Sequence, residues 1–429
     1  MEFKKLSDIS SLRNESIKDN KNKDLLYVTT THLLPNKAGI SQEYESSLDK
    51  SGKLFYKGDI LVSNIRPYFK KIWQSDRDGI TSNDVLIFVT NDIVSQKYLY
   101  YLLSQDIFFD MMTLTSKGTK MPRGDKNAIS KYEVSVFDKI KQTKIVNILT
   151  SYDKKIEINK KIITNLEAQA QALFKYYFVD FKPFTDGNFV DSDLGPIPEG
   201  WEVVELSDVA DFRNGYSFKS KELDDTKTEA NQLKVFKMGD ISVGGGFNLG
   251  KTKSWVSKTL VEEKNISRYI LDYGDLLMCM TDMKDNVRLL GHVAYNWFDD
   301  QYILNQRVGR ITSKSEEITN EYLYFLINSV NFIEELRSRA NRGVQVNLST
   351  KEIKASKILV PKTPYLKKYN KFISKIMKYI GYLTNQNQTL AETRDALLPK
   401  LMAGEIDLEN LGGPYDWSIF RKGLWRDLY

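Results

Sequence analysis

At 429 residues the chain is too long for one hydrophobic core, and size alone suggests roughly two to four domains. An apolar fraction of 41% with 28% charged residues is that of an ordinary globular protein; no apolar run approaches the ~18 residues of a membrane span, and the polar opening has no signal-peptide stretch, so a cytoplasmic protein is expected. One cysteine, Cys279, and two histidines, His32 and His292, exclude a disulfide framework and a paired-thiolate zinc site, and both histidines are expected to be structural or contact residues; a net charge of +6 is compatible with local polyanion-binding patches without requiring them.

In chain order, the dominant feature is an internal duplication. Lys5-Leu6-Ser7-Asp8-Ile9 opens a first globular domain over 1–139 and returns as Glu205-Leu206-Ser207-Asp208-Val209 in a second over 201–361, with Arg13-Asn14 returning as Arg213-Asn214. Gly58-Asp59-Ile60-Leu61, a turn feeding a buried strand, returns as Gly274-Asp275-Leu276-Leu277. Tyr98-Leu99-Tyr100-Tyr101-Leu102 returns as Tyr322-Leu323-Tyr324-Phe325-Leu326, an apolar helix, and Ile129 through Val136 as Ile353 through Val360, both about 224 residues later. Insertions are therefore confined to the early part of each domain.

A heptad seam follows over 140–180: Ile145, Leu149, Tyr152, Ile156, Asn159, Ile163, Leu166, Ala170 and Leu173 alternate spacings of four and three. Phe181 to Gly187 and Leu194 to Trp201, rich in proline and glycine, mark an ordered linker over 181–200. Gly244-Gly245-Gly246 has the wrong spacing for a dinucleotide loop and reads as a hairpin tip. The seam repeats over 362–404 as Tyr369, Ile373, Ile376, Ile380, Leu383, Asn387, Leu390, Arg394 and Leu397, interrupted only by the weak helix former Gly381 until Pro399. Each seam predicts a helix of about 38 residues, close to 57 Å long. Asn159, Asn387 and Arg394 either fix register as buried polar positions or face solvent where the helices splay. Met402-Ala403-Gly404-Glu405 predicts a helix stop, and the tail over 405–429, with Trp417, Phe420, Arg421, Lys422, Trp425 and Arg426, either docks on the first domain, contacts a partner or packs on the surface.

The fold class expected is therefore mixed α/β (α+β): two globular domains separated by two long helices that pair antiparallel, with a pseudo-twofold axis. DNA has the matching symmetry between its strands, so such a chain would present two readers to two half-sites with the helices setting the gap. At this point the chain resembles the specificity subunit of Type I restriction-modification systems. The resemblance spans nearly the whole chain and rests on the duplicated order, on Asn165-Leu166-Glu167-Ala168-Gln169-Ala170-Gln171-Ala172-Leu173-Phe174 followed by Phe178-Val179-Asp180-Phe181, on Ile197-Pro198-Glu199-Gly200-Trp201, and on Leu397-Leu398-Pro399-Lys400-Leu401-Met402-Ala403-Gly404-Glu405-Ile406.

The resemblance implies two target-recognition domains that each read half of a bipartite site in double-stranded DNA. It also implies helices that set the unread spacer and hold two adenine-N6 methyltransferase (M) subunits, motor-nuclease (R) subunits in the full complex, and no chemistry on this chain. S-adenosylmethionine would belong to the methyltransferase partners; no cofactor, metal or membrane is expected here. The residues agree: Gly412-Gly413-Pro414-Tyr415 misses the acid or amide and one proline of a methyltransferase loop, and no Walker loop is present. A fused restriction-methylation enzyme or orphan nuclease, and a coiled-coil scaffold with protein-binding ends, are the alternatives.

Polar loops rich in Arg, Lys, Asn, Gln and Thr supply the candidate DNA contacts, since Arg and Lys match guanine edges or phosphates and Asn and Gln match adenine. In the first domain these are Thr29, Thr30 and Thr31; Asn64, Arg66, Tyr68, Lys70 and Lys71; and Lys117, Thr119, Lys120 and Arg123 around Gly118. In the second they are Arg213, Asn214, Ser217 and Lys219; Thr281, Lys284, Asn286 and Arg288; Arg307; and Arg342, Gln345 and Asn347, which keep the glycine of the Lys117–Arg123 loop as Gly343 but exchange cations for amides.

Overall fold

The computed structural model describes residues 1–17, 25–41, 45–46, 50–247, 253–283, 287–342 and 345–408. Two compact units emerge, one from Met1–Glu157 with Thr389–Tyr429 and the other from Ile158–Gln388. The main elements of the first are β1 (Glu2–Lys5), β2 (Ser10–Leu12), β3 (Leu26–Val28), β4 (Gly52–Phe55), β5 (Ile60–Ser63), β6 (Ile72–Gln74), β7 (Gly79–Thr81), β8 (Val85–Thr90), α1 (Gln96–Leu103), α2 (Asp106–Leu114), β9 (Glu133–Val136) and the start of α3 (Lys139–Phe178). Strands β2, β8, β5 and β6 form an antiparallel sheet in that order, and β1 pairs with β9.

Strand alternation divides this unit into two cores. Ile60, Val62, Ile72, Leu86 and Phe88 point to one side, against α1, α2 and Ile145 and Leu149 of α3. Leu61, Trp73, Val85 and Ile87 point to the other, against Val28 of β3 and Phe55 of β4. There, β3 runs parallel to β7, which pairs antiparallel with β4.

The second unit repeats the plan: β10 (Glu202–Glu205), β11 (Ala210–Asn214), β12 (Gln232–Phe236), β13 (Leu276–Cys279), β14 (Thr281–Met283), β15 (Val293–Tyr295), β16 (Tyr302–Leu304), β17 (Val308–Ser313), α4 (Asn320–Ile327), α5 (Val330–Ser338), β18 (Gln345–Asn347), β19 (Lys357–Val360) and α6 (Thr363–Ala403). Order β11-β17-β13-β15 matches β2-β8-β5-β6, β10 pairs with β19 as β1 does with β9, and β12 runs parallel to β16 as β3 does to β7. The duplicated Gly-Asp turns are built alike: the Tyr56 amide donates to Asp59 at 2.9 Å and the Asp272 amide to Asp275 at 2.9 Å. Their cations come from different strands, however. Arg13 beside β2 donates to Asp59 at 2.8 Å, whereas Arg310 on β17 donates to Asp275 at 3.2 Å.

Both predicted long helices form, of 40 and 41 residues, and within each unit their segments run antiparallel. In the second, Asn159 meets Asn387 while Phe178 meets Tyr369. In the first, Asp153 accepts from Arg394 at 2.7 Å and Lys144 donates to the Leu408 carbonyl at 3.1 Å. Gly381 lets α6 approach its own unit closely, since a Cβ there would lie 2.8 Å from the Tyr273 hydroxyl and 3.0 Å from Trp297. The stop falls where expected: α6 ends at Ala403, Gly404 takes φ 74°, and the Glu405 amide donates back to the Lys400 carbonyl. Leu398, Leu401, Met402 and Leu408 join the core of the first unit, and the aromatic tail lies outside the described residues.

The interrupting polar residues are matched pairs. Asn159, fully buried, donates to Gln386 Oε1 at 2.7 Å and Asn387 Oδ1 at 2.9 Å, and its own Oδ1 has no partner among the described residues. Arg394 and the Tyr101 hydroxyl both donate to Asp153. Asn159→Leu is expected to cost about 1–3 kcal/mol, because two amide oxygens lose their donor. Asn159→Leu/Asn387→Leu together is expected to recover the part of that loss due to Asn387, leaving a layer that tolerates slipped registers. Urea titrations of both variants measure the difference; equal losses would show that the layer is not coupled.

Candidate nucleic-acid interface

In the first unit, three of the predicted loops converge. The hairpin Lys117–Arg123 closes on itself through paired amide-to-carbonyl bonds of 2.9 Å, with Gly118 at φ 95° in its turn. It is stitched to the loop after β5: the Arg66 amide donates to the Pro122 carbonyl at 2.8 Å, and the Gly124 amide to the Asn64 carbonyl at 3.0 Å. Lys71 then donates to the Thr30 carbonyl at 2.5 Å, which ties in the threonine turn, where the Thr29 and Thr31 hydroxyls lie 2.6 Å apart and the Thr29 amide donates to His32 Nδ1.

Arg66 and Lys70 hold left-handed backbone, φ 49° and 51°, on either side of the short turn Pro67–Phe69, at a cost of about 1–3 kcal/mol each. That turn displays Tyr68 and Phe69 to solvent. Asn64 Oδ1 and Arg66 Nε are buried with no hydrogen-bond partner among the described residues. Unmatched buried groups cost about 1–3 kcal/mol each, so strain and unmet polarity concentrate in this one loop.

The cations differ in readiness. Lys120 is exposed, with no ion-pair partner among the described residues, and Thr119 is exposed beside it. Arg123 pairs with Asp84 at 3.1 Å and Lys117 with Asp125 at 2.6 Å, which holds the Asp125 carboxyl below its ordinary value through the Lys117 hydrogen bond. Such exposed pairs are worth little and give way to a phosphate or base edge. Lys70 is held by Asp106 at 3.1 Å and faces Asp110, and desolvation lowers Lys71, so both read as supports of the loop.

The second unit builds the same device with more ladder. Strand β18 pairs with β14, Thr281 opposite Asn347, and with Asn341–Arg342, so that the hairpin Asn341–Asn347 sits where Lys117–Arg123 sits in the first unit. The Leu348 amide donates to the Met280 carbonyl at 2.9 Å, as Gly124 does to Asn64. Thr281 donates to Asn347 Oδ1 at 2.8 Å, Gln345 is half-buried, and the carbonyl of exposed Arg307 accepts the Met280 amide. Asn214 accepts from Thr350 at 3.1 Å near the same edge. Arg213 instead donates to the Arg268 carbonyl at 3.3 Å, while Ser217 and Lys219 are exposed; among the described residues no hydrogen bond ties these three to the hairpin. Arg288 is exposed, and Lys284 and Asn286 lie outside the described residues.

One residue that sequence reasoning passed over is Asp282. Buried, it accepts from the amides of Met283, Leu289 and Leu290, gathering both ends of the loop that carries Lys284, Asn286 and Arg288. The stretch Thr281–Arg288 holds two acids, Asp282 and Asp285, with its two cations, so sequence alone did not single out Asp282 as the loop anchor.

The side chains suited to nucleophilic chemistry are not poised. Burial pushes the Cys279 thiol up to about 12, and His292, desolvated, is lowered and sits 3.3 Å from Asn328 Oδ1. Because His292 resists protonation when folded and the unfolded chain does not, its contribution is complete above an unfolded value near 6.5 and is lost as pH falls below it. Thermal melts between pH 7.5 and 5 should show a decline that His292→Gln flattens; an unchanged slope would remove His292 from the account. Among the described residues no group of three His, Cys, Asp or Glu is placed to hold a metal, and no helix is long and apolar enough to cross a membrane.

Each of the two like-built α/β units offers a polar hairpin beside a strand edge, the kind of surface that protein–DNA recognition uses. Comparison with known proteins gives the family. The profile described as Type I restriction modification DNA specificity domain matches residues 1–168 and 198–393, and the chain belongs to that family. Its function is DNA recognition within a Type I restriction-modification system. It is 25% identical over 393 residues to the MjaVIII specificity subunit of Methanocaldococcus jannaschii, covering 90% of this chain and 87% of the relative. It is 26% identical over 460 residues to the HindI specificity subunit of Haemophilus influenzae, covering 94% and 98%. Among solved structures, the Type I restriction-modification S subunit from M. genitalium shares the fold, with a TM-score of 0.53 at 14% identity over 93% of this chain and 95% of that one.

Proposed function

We propose that this chain reads a bipartite site in double-stranded DNA, one half per unit, as the non-catalytic specificity subunit of an adenine-methylating complex. The observation that carries the reading is the paired hairpin, Lys117–Arg123 and Asn341–Asn347, held by equivalent hydrogen bonds in both units yet differing in chemistry. Cations at one and amides at the other favour different base edges, so the two half-sites would differ in sequence. Lys117, Lys120 and Arg123 are the direct contacts on this reading, Asn64 and Arg66 the groups that await a partner, and Gln345, Asn347, Thr281 and Arg307 the matching set.

The seam helices would then set the unread spacer and receive two methyltransferase subunits, with motor-nuclease subunits completing a restricting complex in the cytoplasm. S-adenosylmethionine belongs in this scheme to the methyltransferase partners. Co-expression with the cognate methyltransferase subunit, followed by single-molecule mapping of methylated adenine, tests it. A new bipartite motif is expected only when both are present. Methylation or cleavage by this chain alone would overturn the non-catalytic assignment, and a continuous motif would overturn the bipartite one.

A further inference from the structure

The second unit contains a cleft of about 460 Å³ away from the hairpins, between α3, α6, the start of α5 and the glycine turn at Val243–Gly246. Its floor is aromatic and apolar: Phe174, Trp297, Tyr324, Phe325, Met377 and Ile380. The glycine turn is fixed as a wall, because the Tyr324 hydroxyl donates to the Gly245 carbonyl at 3.1 Å and a Cβ on Gly245 would lie 2.3 Å from Asn328 Nδ2. Asn328 is already committed, its amide group donating to the Val293 and Tyr324 carbonyls and its oxygen accepting the Val293 amide.

Glu167 is the only acid lining this cleft, and no ion pair or hydrogen bond engages it among the described residues. The one cation in the lining, Lys175, is turned to Asp180, with both carboxylate oxygens within 2.6 Å. An acid facing aromatic rings, with its neighbouring cation paired elsewhere, is a receptor for positive charge on an apolar stem, through charge pairing and cation–π attraction together. The geometry points to a binding site for an organic cation of the alkylguanidinium or alkylammonium class, with Glu167 as its counter-ion and the Trp297, Tyr324 and Phe174 rings as its bed. The source is either a free small molecule or a side chain presented by a partner protein. The apolar surroundings raise the Glu167 carboxyl above its ordinary value through desolvation, while the residue itself stays open to solvent and to an incoming cation.

Calorimetric titration of agmatine, an alkylguanidinium, into the full chain tests this without DNA or methylation, so its outcome is separate from that of the recognition reading. Saturable binding is expected, weakened at least tenfold by Glu167→Gln and by Val330→Trp, which plugs the mouth, and absent for the neutral isostere pentylurea. Binding should also weaken as the pH is lowered towards the range in which Glu167, raised above its ordinary value, takes up a proton; the other titratable groups lining the cleft are Lys175 and Tyr324. Repeating the titration on the assembled complex with the methyltransferase subunit separates the sources: loss of agmatine binding identifies a partner's side chain, retention a free ligand. No saturable binding, or equal binding by Glu167→Gln, would overturn the proposal.

Discussion

Phe178→Ala is expected to lower the unfolding free energy by about 3–5 kcal/mol, read as a shift of the denaturant midpoint at unchanged slope. Phe178 ends α3 with its ring between those of Tyr369 at 4.9 Å and Tyr322 at 5.1 Å, and with Phe174 at 5.3 Å and Trp201 at 5.9 Å. Removing it opens a void among rings that are themselves anchored, since the Tyr322 hydroxyl donates to the Leu359 carbonyl at 2.7 Å and holds its ring in place. The rings around the void therefore have little room to close it. Tyr369→Phe is the control, because the buried Tyr369 hydroxyl has no partner among the described residues and its removal should cost nothing. A Phe178→Ala loss below about 1 kcal/mol would mean that the cluster repacks freely.

On the proposed bipartite reading, Arg123→Ala and Lys120→Ala should weaken recognition of one half-site by about 1–3 kcal/mol each, roughly 5- to 150-fold, with the other half-site sequence unchanged. Methylation mapping with the variants measures this, and the salt dependence of binding separates a lost phosphate contact, which reduces the slope, from a lost base contact, which relaxes the sequence at one position. Arg123→Ala also frees Asp84, leaving an unpaired acid on the surface proposed to meet DNA, so its effect should exceed that of Lys120→Ala. Uniform weakening of both half-sites would show that the hairpin serves as general electrostatics.

The frame was legible because it is written in periodicity. The four-three seam gave both long helices, and the repeated Gly-Asp turns and Tyr-Leu helices gave two copies of one sheet order. Even the alignment of Lys117–Arg123 with Asn341–Asn347, made from spacing alone, corresponds to equivalent hydrogen bonds. What spacing does not carry is which long-range partner a polar side chain finds. Arg13 and Arg213 occupy matching sequence positions, yet only Arg13 neutralises its unit's Gly-Asp turn, because Arg310 does so in the other. Lys70 and Asp106 are distant in sequence, so nothing in a polar loop shows that this lysine is already held. Asn64, exposed by composition, is buried by the hairpin that lies across it.

The first unit is assembled from both extremes of the described chain, since its core includes Leu6 and Ile9 as well as Leu398, Leu401 and Leu408. On the ribosome its strands emerge before the second unit, but the residues that seal them emerge after it. The second unit, whose segments are contiguous in sequence, has everything it needs earlier. Domains usually mature from the N-terminus onward during synthesis; here the order inverts, and the unit that is begun first must wait, part of its apolar face uncovered, until the end of α6 has been made.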